Sequence, residues 1–215
     1  MTIAKKIADI IAKSSWIRKM FEEGARLKAE YGAANVYDFS LGNPNLPPPE
    51  KFNQILQETV ATCGLGDHCY MPNTGYPMVC GSVAEYLAAE QQAPVTEKDI
   101  LMTCGASGAL NVILKAILDP GDEVLTPAPC FVEYKFYADN HGGVLKTVPT
   151  TPDFHLDLEV IAAAITAKTK AVLINSPNNP TGQVYPEESL RALGALLEEK
   201  GRALNRTIYL VSDEP

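Results

Sequence analysis

Apolar positions change their spacing along the chain. Over residues 3–31, Ile3, Ile7, Ile10, Ile11, Ile17, Met20, Phe21 and Leu27 recur near a 3.6-residue period, which predicts amphipathic helix with a possible division at Ser14-Ser15. Leu41-Gly-Asn-Pro-Asn-Leu-Pro-Pro-Pro49 follows, a proline-rich loop that no helix interior accommodates. The helical period returns over 51–61 and 78–90, on either side of a second loop, Tyr70-Met-Pro-Asn-Thr-Gly-Tyr-Pro77. From residue 99 the pattern becomes regular. Strand-like runs at Ile100–Thr103, Glu123–Leu125, Val144–Val148, Ala171–Ile174 and Thr207–Val211 alternate with helix-period segments near 107–118, 131–140, 157–166 and 187–199. Turn chemistry marks the breaks at Asp119-Pro-Gly-Asp122, Gly142-Gly143 and Pro177-Asn-Asn-Pro-Thr-Gly182. Strict alternation predicts βαβ units. The expected fold is α/β, a mostly parallel sheet with flanking helices, preceded by a helical N-terminal arm and loop over 1–50, with the sheet-bearing domain over 51–215.

Composition narrows the function classes. A length of 215 residues, against about 150 per domain, allows one α/β core and an arm. With 46% hydrophobic and 20% charged residues the chain is neither disordered nor fibrous. Twenty-six acids against eighteen bases give a net charge of −8, so neither nucleic acid nor a membrane surface is an expected partner. No apolar run reaches the 18 or so residues of a membrane span. Charges at Lys5, Lys6 and Asp9 interrupt any signal-peptide core, and the five cysteines fall in no metal-ligand spacing. Free buried thiols and a cytoplasmic setting are expected.

Ligands of open parallel sheets bind beyond the carboxyl ends of the strands. Four segments stand there. Thr103-Cys-Gly-Ala-Ser-Gly-Ala-Leu110 leads a strand through small residues into a helix, either a plain βα turn or a phosphate cradle of free N–H groups. It has neither the dinucleotide glycine pattern nor a Walker lysine. Pro127-Ala-Pro-Cys-Phe-Val-Glu-Tyr134 puts Phe131 near a helix start, as a core aromatic or as the cover of a planar ring. Asn175-Ser-Pro-Asn-Asn-Pro-Thr-Gly182 presents the carboxamide of Asn178 or Asn179, which can donate and accept. Asp213 follows the apolar run Ile208–Val211, as a surface acid or as one paired with a cation or donors. His68, His141 and His155 form no metal spacing and read as surface or satisfied histidines. Glu187-Glu188 and Glu198-Glu199 read as solvated helix faces, and no nucleophile elbow supports a hydrolase.

In this order, Gly42-Asn-Pro44, Tyr70-x-x-x-x-Gly-Tyr-Pro77, Gly105-Ala-Ser-Gly108, Ser176-Pro-Asn-Asn-Pro-Thr-Gly182 and Ser212-Asp-Glu-Pro215 resemble fold-type I pyridoxal-phosphate enzymes. The resemblance is to the class I/II aminotransferases of the aspartate aminotransferase kind and runs from about Val36 to Pro215. It implies pyridoxal 5′-phosphate as cofactor, with an amino acid and a 2-oxo acid as substrates. It further implies that Gly105, Ala106 and Ser107 cradle the phosphate, Phe131 stacks on the ring, Asn179 bonds the phenolic oxygen near the substrate carboxylate, and Asp213 pairs with the ring nitrogen. Gly42 would fall in the loop over the substrate carboxylate. Tyr70 would reach across a homodimer interface to the neighbouring subunit's phosphate.

Two departures follow from the same resemblance. Cys130 stands where many relatives carry an aromatic. The family's Schiff-base lysine lies downstream of the Ser-Asp-Glu-Pro segment, and none of the lysines here, Lys115, Lys135 and Lys146 included, stands in its context. The chain therefore reads as the arm and part of the large domain of such an enzyme, inactive by itself. A β-lyase or decarboxylase of the same fold, or a non-catalytic protein retaining it, would share these segments.

Overall fold

The structure is a computed structural model that describes every residue but Met1, Ser14, Ser40, Leu41, Asn43 and Pro215, and no side chains over 10–18 or at 21. The expected division at Ser14, the middle of Gly42-Asn-Pro44 and the last residue of Ser212-Asp-Glu-Pro215 thus lie outside the described residues. The chain forms two compact units, Met1–Cys69 and Tyr70–Pro215.

The first unit carries the periodic helices as α1 (Lys5–Lys13), α2 (Ser15–Tyr31) and α3 (Glu50–Thr62). Arg26 reaches Glu23 and Glu30 one turn away on α2, and Lys28 Nζ lies 2.7 Å from Asp38 Oδ2, tying the helix to the extended segment after it. No residue of α3 is buried within this chain, and its apolar side chains Phe52, Ile55 and Leu56 are exposed.

The second unit contains α4 (Pro77–Gln91), α5 (Gly105–Ile117), β1 (Glu123–Ala128), α6 (Tyr134–Asp139), β2 (Val144–Pro149), α7 (Leu158–Ala164), β3 (Thr169–Asn175), α8 (Glu187–Ala203) and β4 (Tyr209–Asp213). The four strands make one sheet in the order β2-β1-β3-β4, every pair parallel. Central strands buried on both faces read as continuous apolar runs whose alternate residues serve opposite layers. Val124, Ala171 and Leu173 pack with Leu110 and Leu114 of α5 and with Tyr134 and Ala138 of α6. Leu125, Val172 and Ile174 pack with Ile161 of α7 and with Leu193 and Leu197 of α8. Each such Val, Leu or Ile side chain contributes about 1.5–3 kcal/mol on burial.

Two features differ from the sequence reading. Ile100–Thr103 forms no ladder among the described residues, although Ile100 is extended; the Met102 N–H donates to Thr74 O at 2.9 Å. An apolar run favours extended backbone, yet a strand exists only where a partner supplies the hydrogen bonds. The five cysteines are free, but only Cys80 is buried, while Cys63, Cys69 and Cys104 are exposed and Cys130 is intermediate. The three exposed thiols sit at helix or turn boundaries, which lie on the surface rather than in the packed layers.

Candidate functional site

The carboxyl ends of β3 and β4 stand side by side because Asn175 and Asp213 are register partners. β4 extends through Asp213, so this acid belongs to the strand rather than to a loop beyond it. Its backbone carbonyl accepts from Asn175 Nδ2 at 2.9 Å, and its Oδ2 accepts from the Tyr134 hydroxyl at 2.5 Å. Tyr134 is 1% exposed. Burial first, and then the Asp213 carboxylate beside it, push the Tyr134 phenol well above its ordinary value, so the hydroxyl keeps its proton and donates.

Neighbouring predicted residues connect to this pair. The Phe131 ring meets Tyr134 edge-on, with centroids 5.6 Å apart. Cys130, next to it, is half-buried, and burial raises its thiol despite a Thr126 hydrogen bond that opposes the shift, leaving a neutral wall. In the loop after β3 the two asparagines divide their tasks. Asn178 is buried and braces the loop: its carbonyl oxygens accept from Gly182 N and from Thr181, and its N–H donates to Gln183 O. Asn179 has its side chain exposed, while its N–H donates to Asn175 Oδ1 at 2.5 Å. The alternative between the two thus resolves by bonding, with Asn179 the one presented.

The small-residue segment lies at the start of α5. Gly105 has φ +72, a left-handed conformation that a side chain would strain, and open space where a Cβ would project. Cys104 gives α5 no side-chain cap, in contrast to α7, where Asp157 Oδ1 accepts from Val160 N at 3.1 Å. The first N–H groups of α5, those of Ala106 and Ser107 among them, are left for solvent or an anion. Ser107 Oγ is hydrogen-bonded to the Tyr137 hydroxyl at 2.7 Å, and Tyr137 lies against Tyr134 with centroids 6.4 Å apart.

Asn179, Asn175, Asp213, Tyr134, Phe131, Tyr137 and Ser107 therefore form one continuous row of contacts along the carboxyl edge of the sheet. Such a row can take an anion at the helix start, a flat ring against Phe131 and a protonated nitrogen opposite Asp213. Tyr70 is fully exposed and shares no hydrogen bond or ring contact with the row among the described residues. Gly42 belongs to the first unit and has open space around it. Tyr134, Tyr137 and Asn175 escape sequence reasoning because a tyrosine on a short amphipathic helix looks like any core aromatic. The signal available was the position of Asn175 at the end of β3 and of Tyr134 at the start of the helix that follows β1.

Other residues read from sequence lie elsewhere. Lys146 pairs with Glu123 at 2.6 Å, a structural role. His68 Nε2 is 3.4 Å from Cys63 Sγ. His141 departs from the surface or satisfied histidine expected: its Nε2 is buried with no hydrogen-bond partner among the described residues. A cleft of about 700 Å³ between α8 and β4 contains none of the predicted site residues.

Comparison with known proteins gives concordant findings. The family model for aminotransferase class I and II matches residues 33–214. A probable aspartate/prephenate aminotransferase of Thermus aquaticus is 42% identical over 177 residues, 81% of this chain and 44% of its own length. An aspartate aminotransferase of Geobacillus stearothermophilus is 31% identical over 216 residues, 100% of this chain and 52% of its own. A crystal structure of an amino transferase from Eubacterium rectale superposes with a TM-score of 0.94 at 36% identity, over 100% of this chain and 55% of that one. The chain spans about half the length of the curated relatives it matches.

Proposed function

This chain belongs to the aminotransferase class I and II family, and on that premise we propose that the whole protein transfers an amino group from an amino acid to a 2-oxo acid with pyridoxal 5′-phosphate. The observation that carries the reading is the row from Asn179 through Asp213 and Tyr134 to Ser107. Its donor set suits a flat, phosphorylated heterocycle with a basic nitrogen. Open space at Gly105 and the uncapped α5 start suit the phosphate, Phe131 offers a ring face, and Asp213 offers a carboxylate.

When bound, the cofactor supplies an electron sink for charge at a substrate carbon. Asp213 would hold a proton on the ring nitrogen, its carboxylate oriented by the Tyr134 hydroxyl that donates to Oδ2. The N–H groups of Ala106 and Ser107 and the Ser107 hydroxyl would bind phosphate oxygens. Asn179 would bond the phenolic oxygen, and Gly42 would lie in the loop over the substrate carboxylate. Residues 1–50 would serve as the arm and 51–215 as part of the large domain of a cytoplasmic homodimer in which Tyr70 serves the neighbouring subunit. With no lysine in the Schiff-base context, residues 1–215 alone would not turn over.

The names of the Thermus and Geobacillus relatives make aspartate the first donor to test. The full-length protein should show a visible cofactor band that disappears on adding aspartate and returns with a 2-oxo acid. Release of pyruvate and ammonia from an amino acid that carries a β-leaving group, with no 2-oxo acid acceptor, would replace transfer with β-lyase chemistry.

A further inference from the structure

We propose that the two tyrosines of α6, Tyr134 and Tyr137, are positioning residues that fix the two polar ends of the site, Asp213 and Ser107. The inference rests on the reading of the row as a pyridoxal 5′-phosphate site. The two side chains stand three residues apart and so share one face of the helix. Their hydroxyls diverge: one meets Asp213 Oδ2 at 2.5 Å, at the end of β4, and the other meets Ser107 Oγ at 2.7 Å, at the start of α5. A buried tyrosine ordinarily finds a partner for its hydroxyl. Here both partners are side chains proposed for ligand contact, reached from one short helix whose Tyr134 meets Phe131 edge-on.

The hydrogen-bond inventory gives each contact a consequence. Tyr134 donates to Oδ2, which orients the carboxylate and leaves Oδ1 to face a ligand N–H. A serine hydroxyl has one proton. When Tyr137 donates to Ser107 Oγ, the Ser107 proton turns outward toward an anion oxygen. Ser107 is braced further by Asn111, whose Nδ2 donates to the Ser107 carbonyl at 2.8 Å, and Asn111 Oδ1 accepts from Asn140 at 3.1 Å. Neither tyrosine needs to touch the ligand to act.

The test uses the full-length protein and two probes, pyridoxal 5′-phosphate and pyridoxal, which lacks the phosphate. Tyr134→Phe and Tyr137→Phe keep the rings and remove only the hydroxyls. Tyr137→Phe should weaken binding of the phosphorylated probe about tenfold and leave pyridoxal unaffected. Tyr134→Phe should weaken both probes about tenfold and shift the absorbance maximum of the bound one. Equal losses of both probes in both variants, following a fall in melting temperature, would reduce the tyrosines to packing and overturn the proposal, as would unchanged affinities. If Tyr134→Phe does not fold, the phosphate-selective loss in Tyr137→Phe decides by itself, because loosened packing would affect both probes alike. An unsubstituted protein that binds neither probe sinks the site reading as well, a result distinct from intact binding that ignores the substitutions.

Discussion

At the amino ends of the strands, Asp122 and Glu123 commit their carboxylates to Arg206, Lys146 and Thr166, whereas at the carboxyl ends Asp213 receives one side-chain bond, from Tyr134, on one oxygen. Arg206 also donates to the Ala167 carbonyl at 2.6 Å, so the loops before β1, β3 and β4 are tied together. Burial would raise the Asp122 carboxyl, but Arg206, the Asp119 N–H and the charge of Lys170 hold it below its ordinary value. Glu123 is treated the same way: burial raises it, and Lys146, Thr166 and the charge of Lys168 bring it below its ordinary value. The same residue types thus serve two purposes. One end is closed and its bonding is internal; the other keeps capacity for a ligand.

The sharpest way to break this comparison is to remove an acid from each end. Asp213→Ala in the full-length protein should lower turnover by about a thousandfold, the scale of losing one preorganised electrostatic contact, with the melting temperature nearly unchanged. Near-normal rates would remove Asp213 from the ring-nitrogen role. Arg206→Ala should do the reverse. It leaves the Asp122 carboxylate, whose side chain is 11% exposed, without its guanidinium, so denaturant unfolding should report a loss of about 3 kcal/mol while turnover per folded site is kept. A stable variant with poor turnover would mean the two ends are coupled rather than separate.

The smallest effect is in pH. Because Asp122 and Glu123 are held below their ordinary values, their stabilisation is fully present above the unfolded-chain values of about 4 and is lost as pH falls through the folded ones. Urea midpoints measured from neutral pH down to mild acid should therefore fall at the low end, and less steeply in Arg206→Ala. A midpoint that ignores pH in both proteins would contradict the closed-end description.

Much of the fold was legible in the chain. The four strands of the sheet and the helices between them lie where the apolar pattern changes, because a helix places one stripe inward while a central strand covered on both faces reads as a short apolar run. The run at Ile100–Thr103 shows the limit. Its residues favour extended backbone, but pairing depends on a partner distant in sequence, which local pattern does not encode. In the candidate site, Ser107, Phe131, Asn179 and Asp213 were named from motif order. Their connectors Tyr134, Tyr137 and Asn175 were not, since a hydrogen bond such as the one spanning Tyr134 and Asp213 is a property of the folded layers.

The sequence by itself determined the alternation of elements, the small residues before α5, the proline-bound loop after β3 and the family to which the chain belongs. Backbone preference and side-chain size act locally, so a linear reading recovers them. Only the tertiary structure decided that Asp213 ends a strand beside Asn175, that Asn178 braces a loop while Asn179 is presented, and that one short helix joins Asp213 to Ser107. Those facts depend on strand register and helix packing, in which residues far apart in the chain compete for the same hydrogen bonds.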